Sequence, residues 1–176
     1  FNNKNLYLVT GEIANMDAMK MDKMNMAERY CALVLGITFL ILGIAGFIPA
    51  FVHLPGTNAS YVPPDVAAGA YSAGFGYLFG AFPTNFLHNL VHCAVGIFGI
   101  ASYTSASSAR VFNRFFAVSY ILIALLGVIP ATNTVFGLMP IFGGNVLLNG
   151  LTAVAALYYG IILPAKVNDV GVARNI

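Results

Sequence analysis

Four apolar stretches, at about residues 30–52, 84–104, 112–131 and 144–164, alternate with polar or turn-rich connections. Each reaches the roughly 20 residues that an α-helix needs to cross the hydrocarbon core of a bilayer. The pattern predicts an all-α integral membrane protein with four transmembrane helices in a domain spanning 27–165. A polar N-terminal arm, 1–26, precedes it and a tail, 166–176, follows. The arm holds Met16, Met19, Met21, Met24 and Met26 at irregular spacing with no clean apolar face, and reads as a poorly constrained segment.

Within the spans, small and polar residues fall on defined faces. On the first helix Ala32, Gly36, Gly43, Gly46 and Ala50 share one side, the kind of surface that lets helix backbones approach closely in lipid. On the second, Asn85, His88, Asn89 and His92 lie at i, i+3, i+4 and i+7, and Gly96, Gly99 and Tyr103 continue the stripe. A polar stripe is costly to turn toward lipid and should face another helix. The first outer connection, 53–83, is too long for a tight turn; its Pro55-Gly56, Pro63-Pro64 and aromatic, glycine-rich stretch from Gly69 to Phe82 predict an interfacial or partly re-entrant segment. Asn58-Ala-Ser60 matches a glycosylation sequon, a short and weakly specific motif.

Composition and charge sharpen the topology. Hydrophobic residues make up 59% of the chain and charged ones 8%, against roughly 25% charged in ordinary soluble domains. All eight Lys and Arg lie in the arm (Lys4, Lys20, Lys23, Arg29), the second connection (Arg110, Arg114) or the tail (Lys166, Arg174). With four spans these regions share one side, which the positive-inside rule makes cytoplasmic, together with both termini. The arm's cations are matched by Glu12, Asp17, Asp22 and Glu28, so no nucleic-acid surface is indicated. Cys31 and Cys93 begin spans on opposite sides of the membrane and read as packing residues rather than a disulfide.

The two halves echo each other. Gly46-Phe-Ile-Pro49 returns as Gly127-Val-Ile-Pro130, 81 residues later, and Phe79-Gly-Ala-Phe-Pro83 returns as Phe136-Gly-Leu-Met-Pro140, 57 residues later. At offset 57, His88 meets Asn145 and His92 meets Asn149, so the fourth helix carries the same polar-then-small stripe. Two tandem two-helix repeats with an axis along the membrane normal follow, with the second and fourth helices joining through His88, His92, Asn145 and Asn149.

The stretch Phe79-Gly-Ala-Phe-Pro-Thr-Asn-Phe-Leu-His-Asn-Leu-Val-His92 resembles the bacterial four-span membrane family catalogued as domain of unknown function 4383. So do Glu28-Arg-Tyr-Cys-Ala-Leu33 and Asn133-Thr-Val-Phe-Gly-Leu-Met-Pro-Ile-Phe-Gly143, and the likeness, closest to cyanobacterial members, runs from about Ala27 to Leu163. The resemblance implies a fold but no activity, and a thylakoid or plasma membrane of a cyanobacterium-like bacterium. Its fourth helix commonly carries acidic and histidine residues where this chain has Asn145 and Asn149, a departure that weighs against a two-fold metal or pigment site.

Candidate chemistry centres on the histidines. In the plainest reading His88 and His92 join Asn85, Asn89, Asn145 and Asn149 in a hydrogen-bonded packing stripe. As pigment ligands, either imidazole could hold the magnesium of a chlorophyll, with Gly96 and Gly99 leaving room for a flat ring. A divalent metal could be held by His53, His88, His92 and Asp65, all toward the outer side. Asp and Glu are absent from all four spans, so catalysis lacks an orienting carboxylate and transport lacks an ionisable path. The expectation is a non-enzymatic accessory or scaffolding subunit of a larger membrane complex, photosynthetic if the cyanobacterial likeness holds. A pigment- or metal-binding protein is the alternative and a small transporter or channel the third.

Overall fold

The computed structural model describes residues 3–55 and 71–164. Four helices make up most of it: α1 (Asn3–Gly46), α2 (Phe86–Ser102), α3 (Ala106–Val128) and α4 (Gly144–Leu157), the last extended by a π-turn over Tyr158–Ile162. Three stretches, Gly11–Gly46, Ala106–Val128 and Gly144–Ile162, are long and apolar enough to cross a membrane, which marks the chain as a membrane protein. Helix α2 is apolar but shorter, at 17 residues.

Helix α1 corrects the expectation of a poorly constrained arm. Its 44 residues run without a break from the polar segment into the apolar one, a rise of about 66 Å at 1.5 Å per residue. Between Gly11 and Gly36 there is neither glycine nor proline, and Ala, Met, Lys and Glu are good helix formers. Irregular methionine spacing removed the amphipathic signal but not the propensity.

Helix ends differ from the sequence limits for local reasons. The first span stops at Gly46 because Pro49 opens a one-turn 3-10 helix, Pro49–Phe51, leading straight into a strand. Helix α3 starts six residues before the apolar stretch because the Ser105 hydroxyl caps it, accepting from the Ser108 N–H at 3.1 Å.

The connection between α1 and α2 carries extended structure where it is described. It forms a small antiparallel sheet, β1 (Val52–His53), β2 (Gly76–Leu78) and β3 (Phe82–Thr84), with β2 in the middle. Val52 pairs with Leu78 and Tyr77 with Pro83. The all-α reading missed it because strands of two or three residues are too short for alternation to register. The tight return from β2 to β3 puts Phe79 and Gly80 in the left-handed region, at φ 51° and 72°. Phe136 and Gly137 adopt the same pair of conformations, at φ 55° and 84°. Asp65, the Asn58 sequon, Pro63-Pro64 and the tail from 166 lie outside the described residues.

Helix α1 packs along α2, α3 packs along α4, and α1 crosses α3 at the centre. The first contact depends on glycine at close approach. A Cβ on Gly99 would fall 2.7 Å from the Gly36 Cα, and one on Gly36 would fall 2.5 Å from the Ile100 nitrogen. The small face of α1 is therefore spent inside the protein rather than left for a partner. Between α1, α3 and α4 lies the core of Cys31, Leu35, Phe39, Phe116, Ala117, Tyr120, Ala153 and Ala156. Phe39 sits at its centre, edge-on to Phe116 at 5.2 Å, to Tyr120 at 5.0 Å and to His92 at 4.9 Å.

Candidate functional site

At the sheet end of the bundle, α2 begins under the sheet, and its first two turns hold the polar stripe. Asn85 is the N-cap: its Oδ1 accepts from the His88 N–H at 2.8 Å, while its Nδ2 donates to the carbonyls of Leu138, at 2.8 Å, and Tyr71, at 3.2 Å. Asn89 donates to the Gly46 carbonyl at 2.6 Å, satisfying an orphan group at the end of α1, and accepts from the Thr84 hydroxyl. On α4, Asn145 donates to the carbonyls of Pro83, at 2.7 Å, and Pro140, at 3.1 Å. Each such bond is worth on the order of 0.6–2 kcal/mol in a membrane interior. Asn149 is also buried, one turn further along α4.

The two halves are thus tied by side chains reaching backbone carbonyls, not by the direct meeting of second and fourth helices that the stripe suggested. Helices α2 and α4 do not pair along their lengths. Strand β3 and the loop 133–143 intervene, and their prolines, which cannot donate hydrogen bonds, present carbonyls to the asparagines.

His88 and His92 turn to each other. Their Nε2 atoms are 2.9 Å apart, with ring centroids at 4.2 Å, and the side chains are 4% and 6% exposed. One ring must donate to the other, and both Nδ1 atoms are buried with no hydrogen-bond partner among the described residues. A neutral pair therefore leaves one N–H and one lone pair short of a full hydrogen bond, with the Pro140 carbonyl the backbone acceptor on offer to His88. Beside the pair is a space of about 10 Å³ bounded by Leu42, Pro83, Asn145 and Leu148, at the lower limit for one water molecule.

This geometry redraws both ligand sets. The room for a flat ring expected along Gly96 and Gly99 is filled by α1. A Cβ on Gly96 would already fall 2.5 Å from the Leu40 nitrogen. His53 is exposed on β1, paired with Tyr77, and does not join the other two. Among the described residues no three His, Cys, Asp or Glu side chains converge as a metal site requires, and Asp65 lies outside them. Cys31, in the core, and Cys93, beside Gly43, are both free thiols.

A second polar cluster, at the end of the bundle away from the sheet, was not foreseen. Glu28 is fully buried, with Oε1 accepting from Arg110 Nε at 2.9 Å, and its own carbonyl accepts from Asn113 Nδ2 at 2.9 Å. Arg29 donates through Nε to the Tyr103 carbonyl at 2.7 Å and lies 4.6 Å above that ring. Arg114 donates to the Gly160 carbonyl at 2.8 Å, within the π-turn. Each of these two arginines binds the C-terminal carbonyls of the neighbouring helix, where the helix dipole favours a cation. The signal was present: Glu28, Arg29, Arg110 and Arg114 all border spans on one side. Nothing in their spacing says that they bond across helices.

No curated protein and no solved structure matches the chain. A family model does, over residues 29–162, a range that takes in Arg29 and the π-turn as well as the histidine stripe. The chain belongs to the family described as Domain of unknown function (DUF4383).

Proposed function

We propose that the chain is a non-enzymatic four-span membrane protein, built from two tandem two-helix repeats, that serves as an accessory or scaffolding subunit of a larger membrane assembly. The observation that carries this is where its polar groups go. Asn85, Asn89, Asn113, Asn145, Arg29, Arg110 and Arg114 all reach across to other segments, and the space beside the histidines is about 10 Å³. Such an interior holds a bundle together and offers no conducting path past the histidine pair, which counts against the transporter reading. What remains to interact is the outer surface, where Val111, Phe115, Val118, Leu122 and Leu125 form an exposed apolar ridge on α3.

The repeat is supported by the matching left-handed pairs at Phe79-Gly80 and Phe136-Gly137, and by the two arginines bound to helix ends. With the basic ends of the helices in the cytoplasm, α2 completes the fourth span beneath the sheet. A cyanobacterium-like photosynthetic membrane is the setting that the sequence likeness favours. The test is migration after gentle extraction from native membranes. A subunit co-migrates stoichiometrically with a complex well above the 18.7 kDa chain and cross-links through Phe115 or Leu122 substituted by a photoreactive residue. A chain that runs alone in every mild detergent, with no cross-link from either position, overturns the reading.

A further inference from the structure

Helix α2 places His88 and His92 one turn apart on a buried face, with their Nε2 atoms 2.9 Å from each other. Two supports hold this geometry. The Asn85 cap fixes the first turn through the His88 N–H, and Phe39 packs edge-on against the His92 ring at 4.9 Å. The Pro140 carbonyl is the backbone acceptor on offer to His88, and since Nε2 is turned to His92, the proton it attracts is the one on Nδ1. That choice leaves the Nε2 lone pair of His88 pointing at His92. A backbone carbonyl at the far ring nitrogen is the support that orients metal-ligating histidines.

With no ion present, His92 donates from Nε2 to His88 and the pair is held as a hydrogen bond. In its other tautomer both Nε2 lone pairs face one point, an arrangement that repels unless a cation lies between them. The buried Nδ1 of His92 has no partner among the described residues, so a change of tautomer gives up no bond there. The space of about 10 Å³ beside the pair, lined also by Thr84 and Asn145, is room for an ion and little else. Metal–nitrogen bonds of about 2.0 Å put the two nitrogens of a trigonal or tetrahedral site about 3.3–3.5 Å apart, so the rings part by about half an ångström.

The ligand set selects the ion. Among the described residues lining the space there is neither a carboxylate nor a thiol. Zinc takes three or four protein ligands, more than the two imidazoles here. Desolvation grows with the square of the charge, so a monovalent ion costs about a quarter as much to bury as a divalent one. Copper binds imidazole well, and in its monovalent state it accepts two or three ligands. The internal repeat supplies no second copy, because Asn145 and Asn149 stand where His88 and His92 recur at offset 57.

We infer that His88 and His92 bind one copper(I) ion per chain through their Nε2 atoms. The site differs in both ligands and charge from the divalent set of His53, His88, His92 and Asp65, and it does not depend on the chain having partners.

The full chain in mild detergent, kept reduced with ascorbate, is titrated with copper(I) against the coloured chelator bicinchoninate. The one-to-one complex is then examined by X-ray absorption at the copper edge. One ion is retained per chain, with two imidazoles and no sulfur around it. His88→Gln and His92→Gln each lower the affinity by more than the roughly 10–100-fold that loss of an outer-shell partner costs, and His53→Gln leaves it unchanged. Should either variant fail to fold, the absorption spectrum of the unaltered chain decides. Sulfur in the shell, which places the ion at Cys31, Cys93 or the methionines of α1, overturns the proposal, as do fewer than two imidazoles or no retention against the chelator. Zinc held as tightly by the same two histidines overturns the assignment of a monovalent ion.

Discussion

Replacing Arg110 by methionine strands the Glu28 carboxylate, which is fully buried and holds its cation at 2.9 Å. Breaking a buried pair from one side costs about 3–5 kcal/mol, because the remaining charge stays desolvated. Arg110 is 31% exposed, so the lower end applies, about 3 kcal/mol. For a chain of this size that is a fall in melting temperature of roughly 6–12 °C. Glu28→Gln keeps an acceptor for Arg110 and costs about 1 kcal/mol. The double change Glu28→Leu with Arg110→Met removes both charges and recovers most of the loss, because neither desolvation penalty remains. The chain has no tryptophan but carries Cys31 in its core, so a thiol-reactive fluorescent dye reports unfolding in detergent. A variant Arg110→Met that melts within about 2 °C of the unaltered chain, or a double variant as unstable as the sum of the singles, refutes the assignment of this pair as the α1–α3 tie.

Gly99→Val forces α1 and α2 apart and costs about 2 kcal/mol or more, whereas Gly150→Ala, whose Cβ meets nothing within 4 Å, is neutral or stabilising by up to about 1 kcal/mol; dye-monitored melting separates the two. Burial, and then nearby Tyr77, push the Tyr71 phenol from 10.0 up to about 12. Because the folded protein holds that proton more tightly, this stability is complete below pH 10 and is lost as pH rises toward 12, by about 2–3 kcal/mol. Tyr71→Phe removes the alkaline loss, and equal pH profiles for the two proteins would count against a buried phenol. In a background lacking Cys31 and Cys93, cysteines at Leu54 and Ser107 label from opposite sides of the membrane; labelling from one side ends the proposed topology.

The helices were legible because the bilayer imposes a length and an apolar composition that few other environments demand. Asn85, His88, Asn89 and His92 were legible as a buried face for the same reason, and each is buried. Their partners were not. An intramembrane asparagine announces that it needs acceptors, but the acceptors here are backbone carbonyls of Gly46, Pro83, Leu138 and Pro140, which carry no side-chain signature. The sheet was hidden by the brevity of its strands, and the helical arm by a propensity that hydropathy does not register. The Glu28–Arg110 pair was overlooked because 82 positions separate its members, and nothing in a single sequence ties them.

The reach of Asn85 to the Leu138 carbonyl and of Asn145 to the Pro83 carbonyl sets a schedule for biogenesis. When α2 leaves the ribosome, Asn85 has the Tyr71 carbonyl behind it, but its shorter bond is to the Leu138 carbonyl, 53 residues downstream and not yet made. The first hairpin must then wait in the translocon or beside an insertase with its stripe shielded from acyl chains. Release of that half into lipid is coupled to synthesis of the second, so a chain truncated after α2 is a substrate for quality-control proteolysis rather than a stable fragment.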